Sequence, residues 1–311
     1  MRILFIFAGQ GYQDNNLFDY FQEDQETLAL MESFSSMSQL NLRGPNLPID
    51  KPRFAQIIIG CYQLILFSKI RPFLANHQIE LAGYSLGEVS AFLASIHGDA
   101  GQSIALLEQR TQLMNALISE AAIVDNYDLM SIKGEFDWDN IQTLIAESHC
   151  YIAIINSHKH LVIGGKCADL KQLVERLSSE GMRQAKFLNI HLPSHTPFYQ
   201  QASSDFKQFL NKSYSDCVME YPIINPLILK KVYTAEEERK LLAQELQQSL
   251  DWFNVCNLIK EYQYDLIVDL GPGDSMSKIL GASGASFTAA LTSASHYRSL
   301  NGFLQSFQQL I

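Results

Sequence analysis

ELAGYSLGEVSAFLASI (Glu80–Ile96) decides how the chain is read. An apolar run, IELAGYS, passes through the pentapeptide Gly83-Tyr84-Ser85-Leu86-Gly87, and EVSAFLASI continues with helical spacing. A strand that enters a helix through a serine between glycines is the pattern of a nucleophile elbow. The backbone is strained at the serine and the helix packs close, so residues without a side chain are needed on either side. The same turn aims the amide of Leu86 at a developing oxyanion, and the helix N-terminus adds positive potential there. The other reading is a glycine-rich turn with a capping serine, and the pentapeptide alone leaves both open.

Before the elbow, ILFIFA (Ile3–Ala8) is a continuous apolar run, as in a parallel strand covered on both faces. It runs into Gly9-Gln10-Gly11, either a second oxyanion donor or simply a tight turn. A polar stretch to about Asp50 and a helix around Ala55 to Ala75 follow. Within it, AQIIIGCYQLILF is too short to span a bilayer and is interrupted by Gln63, which predicts a buried core helix. After the elbow come helices Glu88 to Ile96 and Gln102 to Ala122. The second is apolar at Ile104, Leu106, Leu107, Leu113, Met114, Leu117 and Ile118, a period near 3.6. Near the end, DLIVDLGPG reads as a strand into a turn, and SMSKIL begins a helix.

Residues 128–191 have a separate rhythm. DLMSIKG, CYIAIIN, HLVIGG and RQAKFLNIH read as strands. WDNIQTLIAES and ADLKQLVERLSSEG read as helices, the latter stopped by Gly181. The order β-α-β-β-α-β is the ferredoxin-like split motif. The expected architecture is a large α/β-hydrolase-like domain with a parallel sheet, residues 1–127 and 193–311, carrying an inserted ferredoxin-like subdomain, residues 128–192. In HLPSHTPF, Thr196 and Pro197 predict a helix start. LKKVYTAEEERKLLAQELQQSLD (Leu229–Asp251) is the most charged stretch and reads as a solvated helix with Glu–Lys pairs.

The 311 residues are 47% hydrophobic and 18% charged, an ordinary globular balance with room for a large domain carrying a smaller one. A net charge of −10 argues against nonspecific nucleic-acid binding. Five widely spaced cysteines with no Cys-x-x-Cys pair argue against a disulfide framework or zinc knot. MRILFIFAGQG lacks a secretory cleavage pattern. The expectation is a cytoplasmic protein with no membrane partner and no cofactor.

A serine nucleophile needs a base. Of eight histidines, His77, His97, His149 and His296 stand in polar or helix-end contexts, His158 and His160 flank a hairpin turn, and His191 ends a strand. His195 stands between Pro193-Ser194 and Thr196-Pro197, where proline on both sides limits its freedom. A plain loop histidine fits the same residues.

Taken together, the motifs resemble the malonyl-CoA:acyl carrier protein transacylases. FAGQGYQ resembles that family's F-P-G-Q-G-x-Q opening, AGYSLGE its G-H-S-x-G-E motif, and EQRTQLM its R-x-x-x-M helix. IINSHKHLVIGG resembles its asparagine-containing hairpin, LPSHTPF its histidine loop and DLGPGDSMSKIL its G-P-G turn. They occur in family order along nearly the whole chain. The resemblance implies that Ser85 carries the acyl group, with His195 as its base. It implies that Gln10 and the Leu86 amide form the oxyanion hole, that Arg110 grips a malonyl carboxylate, and that Tyr84, Met114 and Asn156 help bind substrate. It also implies that a backbone carbonyl near Glu245 orients the histidine, although Ser249 stands where the family has proline. Malonyl-CoA and an acyl carrier protein are the implied partners. Without the resemblance, Arg110 is an ordinary helix arginine.

Tyr84 replaces the family's histidine. With the SHTP loop and the tail HYRSLNGFLQSF, it resembles a smaller branch, the epsilon subunit of malonate decarboxylase, which loads a dedicated carrier subunit. A fatty-acid or polyketide transacylase is the alternative, since the core motifs do not separate the two. An α/β-hydrolase-type thioesterase shares the elbow, but 116 residues follow His195, awkward for a class that places histidine near the chain end. A scaffold that only binds a carrier is the remaining rival. An acidic carrier approaching this acidic chain requires a local basic patch, with Lys159, Lys166, Arg183 and Lys186 as candidates.

Overall fold

The computed structural model describes residues 1–12, 14–22, 24–121, 126–283 and 288–311, the side chains of 118–121 excepted. The strands are β1 (Arg2–Phe7), β2 (Gln78–Gly83), β3 (Tyr127–Gly134), β4 (Tyr151–Ser157), β5 (His160–Lys166), β6 (Met182–Phe187), β7 (Ile223–Asn225), β8 (Lys230–Val232), β9 (Leu266–Asp269) and β10 (Ala290–Ser293). The helices are α1 (Gln25–Ser38), α2 (Pro52–Ile70), α3 (Leu86–Ser95), α4 (Ala100–Ala121), α5 (Trp138–Glu147), α6 (Cys167–Leu177), α7 (Gln200–Ser213), α8 (Ala235–Glu245), α9 (Trp252–Tyr262), α10 (Ser275–Ala282) and α11 (Leu300–Leu310).

The main sheet has the order β10-β9-β1-β2-β7-β8 and is parallel except for β8. The apolar run at the start of the chain is therefore central, which explains why it has no polar face. Its side chains alternate between two cores: Ile3, Phe5 and Phe7 pack under α2, α3 and α11, while Leu4, Ile6 and Ala8 pack toward α9 and α10. The second sheet is antiparallel in the order β4-β5-β3-β6, backed by α5 and α6. Numbered within itself this is 2-3-1-4, the ferredoxin-like order expected from β-α-β-β-α-β. Leu129, Ile154 and Val162 from this sheet join the core on the α9 side. Backbone bonds from Ile155 N to Leu250 O (2.9 Å) and from Leu250 N to Ala153 O (3.0 Å) tie its β4 edge to the segment before α9.

The main sheet is mixed and mostly parallel and the second is separate and antiparallel, which is the coarser part of the expected α/β architecture. The structure corrects several expectations. By length and apolarity α2 could cross a membrane, so shortness is not what excludes it from that role. It is a core helix because most of it is buried. Gln63 is fully buried in it and donates to Ala8 O (2.8 Å) and Gly271 O (2.7 Å), which ties together the turns after β1 and β9. The strand expected to reach His191 stops at Phe187. Beyond it, the N–H groups of Asn189, Ile190 and His191 converge on the buried Asp128 carboxylate at 3.0–3.2 Å, and the chain turns away. Helix α6 ends at Leu177, and Gly181 (φ +82°) serves the turn into β6 instead. Thr196 does not cap a helix: its hydroxyl donates to Pro193 O, and Pro197 opens a single 3-10 turn before α7. Ala122, where the α4 pattern was expected to end, lies outside the described residues, as does the Ile118 side chain. The polar stretch before Asp50 holds α1, and the tail forms α11, neither foreseen. The charged stretch 229–251 holds β8 and α8, and Glu238, Arg239 and Glu245 are buried there rather than solvated.

Candidate active site

The elbow is built as its glycines require. Ser85 has φ 57° and ψ −115°, a conformation costly for a side chain and found where surrounding packing enforces it. A Cβ on Gly83 would sit 2.1 Å from the Glu88 backbone, and one on Gly87 would sit 2.0 Å from Phe7 O. Both contacts are with backbone, so neither can relax easily. The close approach brings the end of β1, and with it Gln10, beside the turn. Gly87 N and Glu88 N close onto the Tyr84 and Ser85 carbonyls (3.0 and 2.9 Å). Leu86 N–H, the first of α3, is left for an outside acceptor.

His195 is brought to Ser85 across 110 residues of chain. Its Nε2 lies 2.7 Å from Ser85 Oγ, and its Nδ1 lies 2.7 Å from Glu245 O. A carbonyl only accepts, so Nδ1 carries the proton and Nε2 accepts from the serine hydroxyl. His195 N also donates to Leu246 O (2.9 Å), so the end of α8 holds both backbone and ring. Burial, and then the charge of Arg110, push the His195 pKa down to about 3. The imidazole is therefore neutral at physiological pH, the form able to take a proton. An oriented Ser–His pair with a free amide at a helix N-terminus can perform acyl transfer through the serine.

Arg110 is not solvated as an isolated helix arginine would be. It is 3% exposed and lies on α4, in the wall of the same cavity as Ser85 and His195. Gln56 Oε1 accepts from its Nη1. Among the described residues no carboxylate forms an ion pair with it. Burial lowers its pKa, while Glu245, Tyr199 and Glu88 oppose the shift. A buried guanidinium without a paired anion is an open position for one.

The cavity measures about 50 Å³ and is lined by Gln10, Gln56, Tyr84, Ser85, Leu86, Arg110, Met114, Ser194 and His195 on one side. Leu129, Ile154, Val162, Leu188, Ile190 and Leu192 supply an apolar wall from the second sheet and the segment after it. Seven of the eight expected residues thus meet in one place. Asn156 does not line this cavity: its Oδ1 accepts from Tyr84 Oη at 3.1 Å and holds the phenol from behind. Tyr84 also packs edge-on against Trp252, ring centres 5.2 Å apart. Of the proposed basic candidates, Lys159 and Arg183 share a separate groove with Lys133, Lys278 and Asn156, and both are paired with Glu135.

Sequence reasoning missed Gln56, which supports Arg110, and the buried acids Glu88 and Glu238. Gln56 lies in an apolar run whose only signal is a polar residue in a core helix. Glu88 opens a stretch that reads as a helix N-terminus, where acidic residues are ordinary, and Glu238 lies in the stretch read as a solvated helix.

No protein-family model matches the chain. It is 24% identical over 294 residues to the polyketide biosynthesis malonyl CoA-acyl carrier protein transacylase PksC of Bacillus subtilis, spanning 89% of this chain and 96% of that one. It is 22% identical to the malonyl CoA-acyl carrier protein transacylase of Buchnera aphidicola, spanning 88% and 90%. The crystal structure of malonyl-CoA:acyl carrier protein transacylase from Helicobacter pylori superposes with a TM-score of 0.86 at 21% identity, covering 100% of this chain and 98% of that one. A malonyl-transacylase in complex with its type II polyketide acyl-carrier protein superposes equally well, TM-score 0.86 at 20% identity, covering 98% and 100%. The chain has the fold of these transacylases from end to end.

Proposed function

We propose that the chain is a malonyl-CoA:acyl carrier protein malonyltransferase that works through a seryl-enzyme. One observation carries this reading: a buried Arg110, without an ion pair among the described residues, shares a small cavity with an oriented Ser85–His195 pair. An esterase of neutral substrates has no use for that arginine. The names and full-length coverage of the relatives point the same way.

In the proposed reaction the malonyl carboxylate seats on Arg110. His195 Nε2 takes the Ser85 proton as Oγ attacks the thioester carbonyl. The oxyanion forms against the Leu86 and Gln10 amides, each worth roughly 10²–10³ in rate. The carbon–sulfur bond breaks, and His195 returns the proton to the departing coenzyme A thiol. The thiol of the carrier's phosphopantetheine arm then gives its proton to His195 and attacks the malonyl ester, the bond from the acyl carbon to Ser85 Oγ breaks, and His195 returns the proton to Ser85. Glu245 O holds the ring in the required tautomer throughout. We assign residues 128–192 as a subdomain that closes the acyl cavity with apolar side chains.

The relatives favour a carrier of fatty-acid or polyketide synthesis over that of malonate decarboxylase, so the alternative reading of the sequence becomes the main one. Tyr84 and the tail remain the observations for the decarboxylase subunit. Intact-mass measurement after incubation with malonyl-CoA tests the chemistry. The native chain is expected to gain one malonyl group and Ser85→Ala none; accumulation of free malonate without an adduct would point to a hydrolase. Transfer rates to the two kinds of carrier then identify the acceptor.

A further inference from the structure

Three buried carboxyl groups beside Ser85, His195 and Arg110 have no part in that mechanism. Glu88 lies on the first turn of α3, Glu238 on the first turn of α8 and Glu245 at its end, and each is 2% exposed or less. Glu238 and Glu245, two helical turns apart, share one face of α8. Glu88 Oε1 accepts from Asn225 Nδ2. Among the described residues, Glu88 Oε2, both oxygens of Glu238 and Glu245 Oε1 meet no N–H or hydroxyl donor. Buried acceptors without a donor are costly, and buried carboxylates more so. The Glu88 and Glu238 carboxyls lie within hydrogen-bonding reach of each other. Two carboxylates so placed repel, whereas one proton between them makes a donor of one and satisfies both.

We propose, building on the seryl-transfer reading, that Glu88 and Glu238 share one proton as a carboxyl–carboxylate pair that clamps α8 onto α3. Helix α3 carries Ser85 at its start, and α8 carries the Glu245 carbonyl at its end. The pair is the polar link between the element that presents the serine and the element that aims the histidine. Neither acid lines the acyl cavity, so both are positioning residues.

The groups facing the pair are Glu237 and Glu245 from α8, Arg110 from α4 and Asn225 from β7. Burial is the main reason the acids retain a proton, with neighbouring carboxyls adding to it for Glu88. Glu88 is held well above the ordinary carboxyl range and Glu238 is pushed up to about 8. The pair's last proton is held well above the ordinary carboxyl range, so it is kept at neutral pH. At alkaline pH, once it is lost, both acids ionise, the two helices repel, and the Glu245 carbonyl shifts off Nδ1.

The test compares wild type, Glu238→Gln and Glu238→Ala. Ser85 acylation by malonyl-CoA is measured from neutral to alkaline pH, and infrared spectra are searched for a protonated-carboxyl stretch. Glutamine supplies an N–H donor to Glu88 and cannot titrate; alanine supplies nothing. Wild type is expected to lose rate at alkaline pH, above about 8, and to show the infrared band at neutral pH. Glu238→Ala is expected to be roughly 10- to 100-fold slower at every pH, through a mis-set base and not weaker substrate binding. Glu238→Gln is expected to recover most of that rate, to lack the alkaline decline and to lose the pair's share of the band, leaving that of Glu245, whose carboxyl burial also pushes up to about 8. A glutamine variant with the wild-type alkaline decline overturns the proposal, as does a wild type with no protonated carboxyl at neutral pH. If malonyl-CoA does not acylate Ser85 at all, the proposed function fails, while the infrared band still decides the pair.

Discussion

Replacing Arg110 by alanine separates the acyl-transfer reading from its rivals, and its size can be worked out in advance. The guanidinium is buried, is braced by Gln56, and has no ion pair among the described residues. A malonyl carboxylate that takes two of its charge-assisted hydrogen bonds gains about 1.5–3 kcal/mol from each. Since about 1.4 kcal/mol is tenfold, Arg110→Ala should cut the ratio of malonyl to acetyl loading by roughly two to four decades. Arg110→Lys keeps the charge but loses the planar fork, and should recover part of the loss. Acyl-enzyme formation from malonyl-CoA and acetyl-CoA, each as kcat/KM, is the assay. The same variant has a second signature. Arg110 is one of the causes holding the His195 pKa down to about 3. Without it the imidazolium is less disfavoured, the pKa rises, and the acid limb of kcat/KM moves to higher pH. A malonyl-to-acetyl ratio that changes by less than about tenfold would refute the assignment. An unmoved acid limb would mean that the charge of Arg110 does not reach the imidazole.

Other expectations follow from the same geometry. Tyr84→Phe removes the 3.1 Å bond to Asn156 Oδ1 and should cost about 1 kcal/mol of stability while loosening acyl preference; unchanged rate and preference would remove Tyr84 from the pocket's specificity. Gly87→Ala forces a Cβ to 2.0 Å from Phe7 O and should cost about 3 kcal/mol or more, read as a lower thermal midpoint; an unchanged midpoint would mean the elbow is not packed as described. For His195, the folded pKa of about 3 lies below the ordinary 6.5, so the unfolded chain binds more protons between those values. Its contribution is complete above pH 6.5 and is lost as pH falls toward 3, up to about 5 kcal/mol at 1.36 per unit. Urea midpoints across that window should therefore fall less steeply for His195→Gln than for wild type.

Much of the site was legible because its signals are local. The glycines around Ser85 announce a tight backbone approach, and the structure supplies the reason in the Glu88 and Phe7 backbones that a Cβ would strike. Prolines around His195 mark a fixed loop, and alternation of strands and helices over residues 128–191 gives the second sheet its order. Where the reading failed, local preference was overruled by packing. The most charged stretch reads as solvated, yet Glu238, Arg239 and Glu245 are buried where α8 packs against α3 and α7. RQAKFLNIH reads as one strand, yet Asp128, some sixty residues earlier, captures three of its amides and ends it at Phe187.

The sequence by itself determined a serine between glycines at a strand-to-helix junction, a histidine between prolines and the element order of the second sheet. These follow from which residues tolerate strained or fixed backbone and from the spacing of apolar side chains. Only the tertiary structure decided that Ser85 and His195 meet at 2.7 Å, that Arg110 turns into their cavity instead of toward solvent, and that the histidine is aimed by the carbonyl of Glu245. Every residue carries a carbonyl, and nothing in the residue type marks the one that will be used. Whether an arginine or glutamate is buried depends on what packs over it, and that is fixed by contacts between residues far apart in the chain.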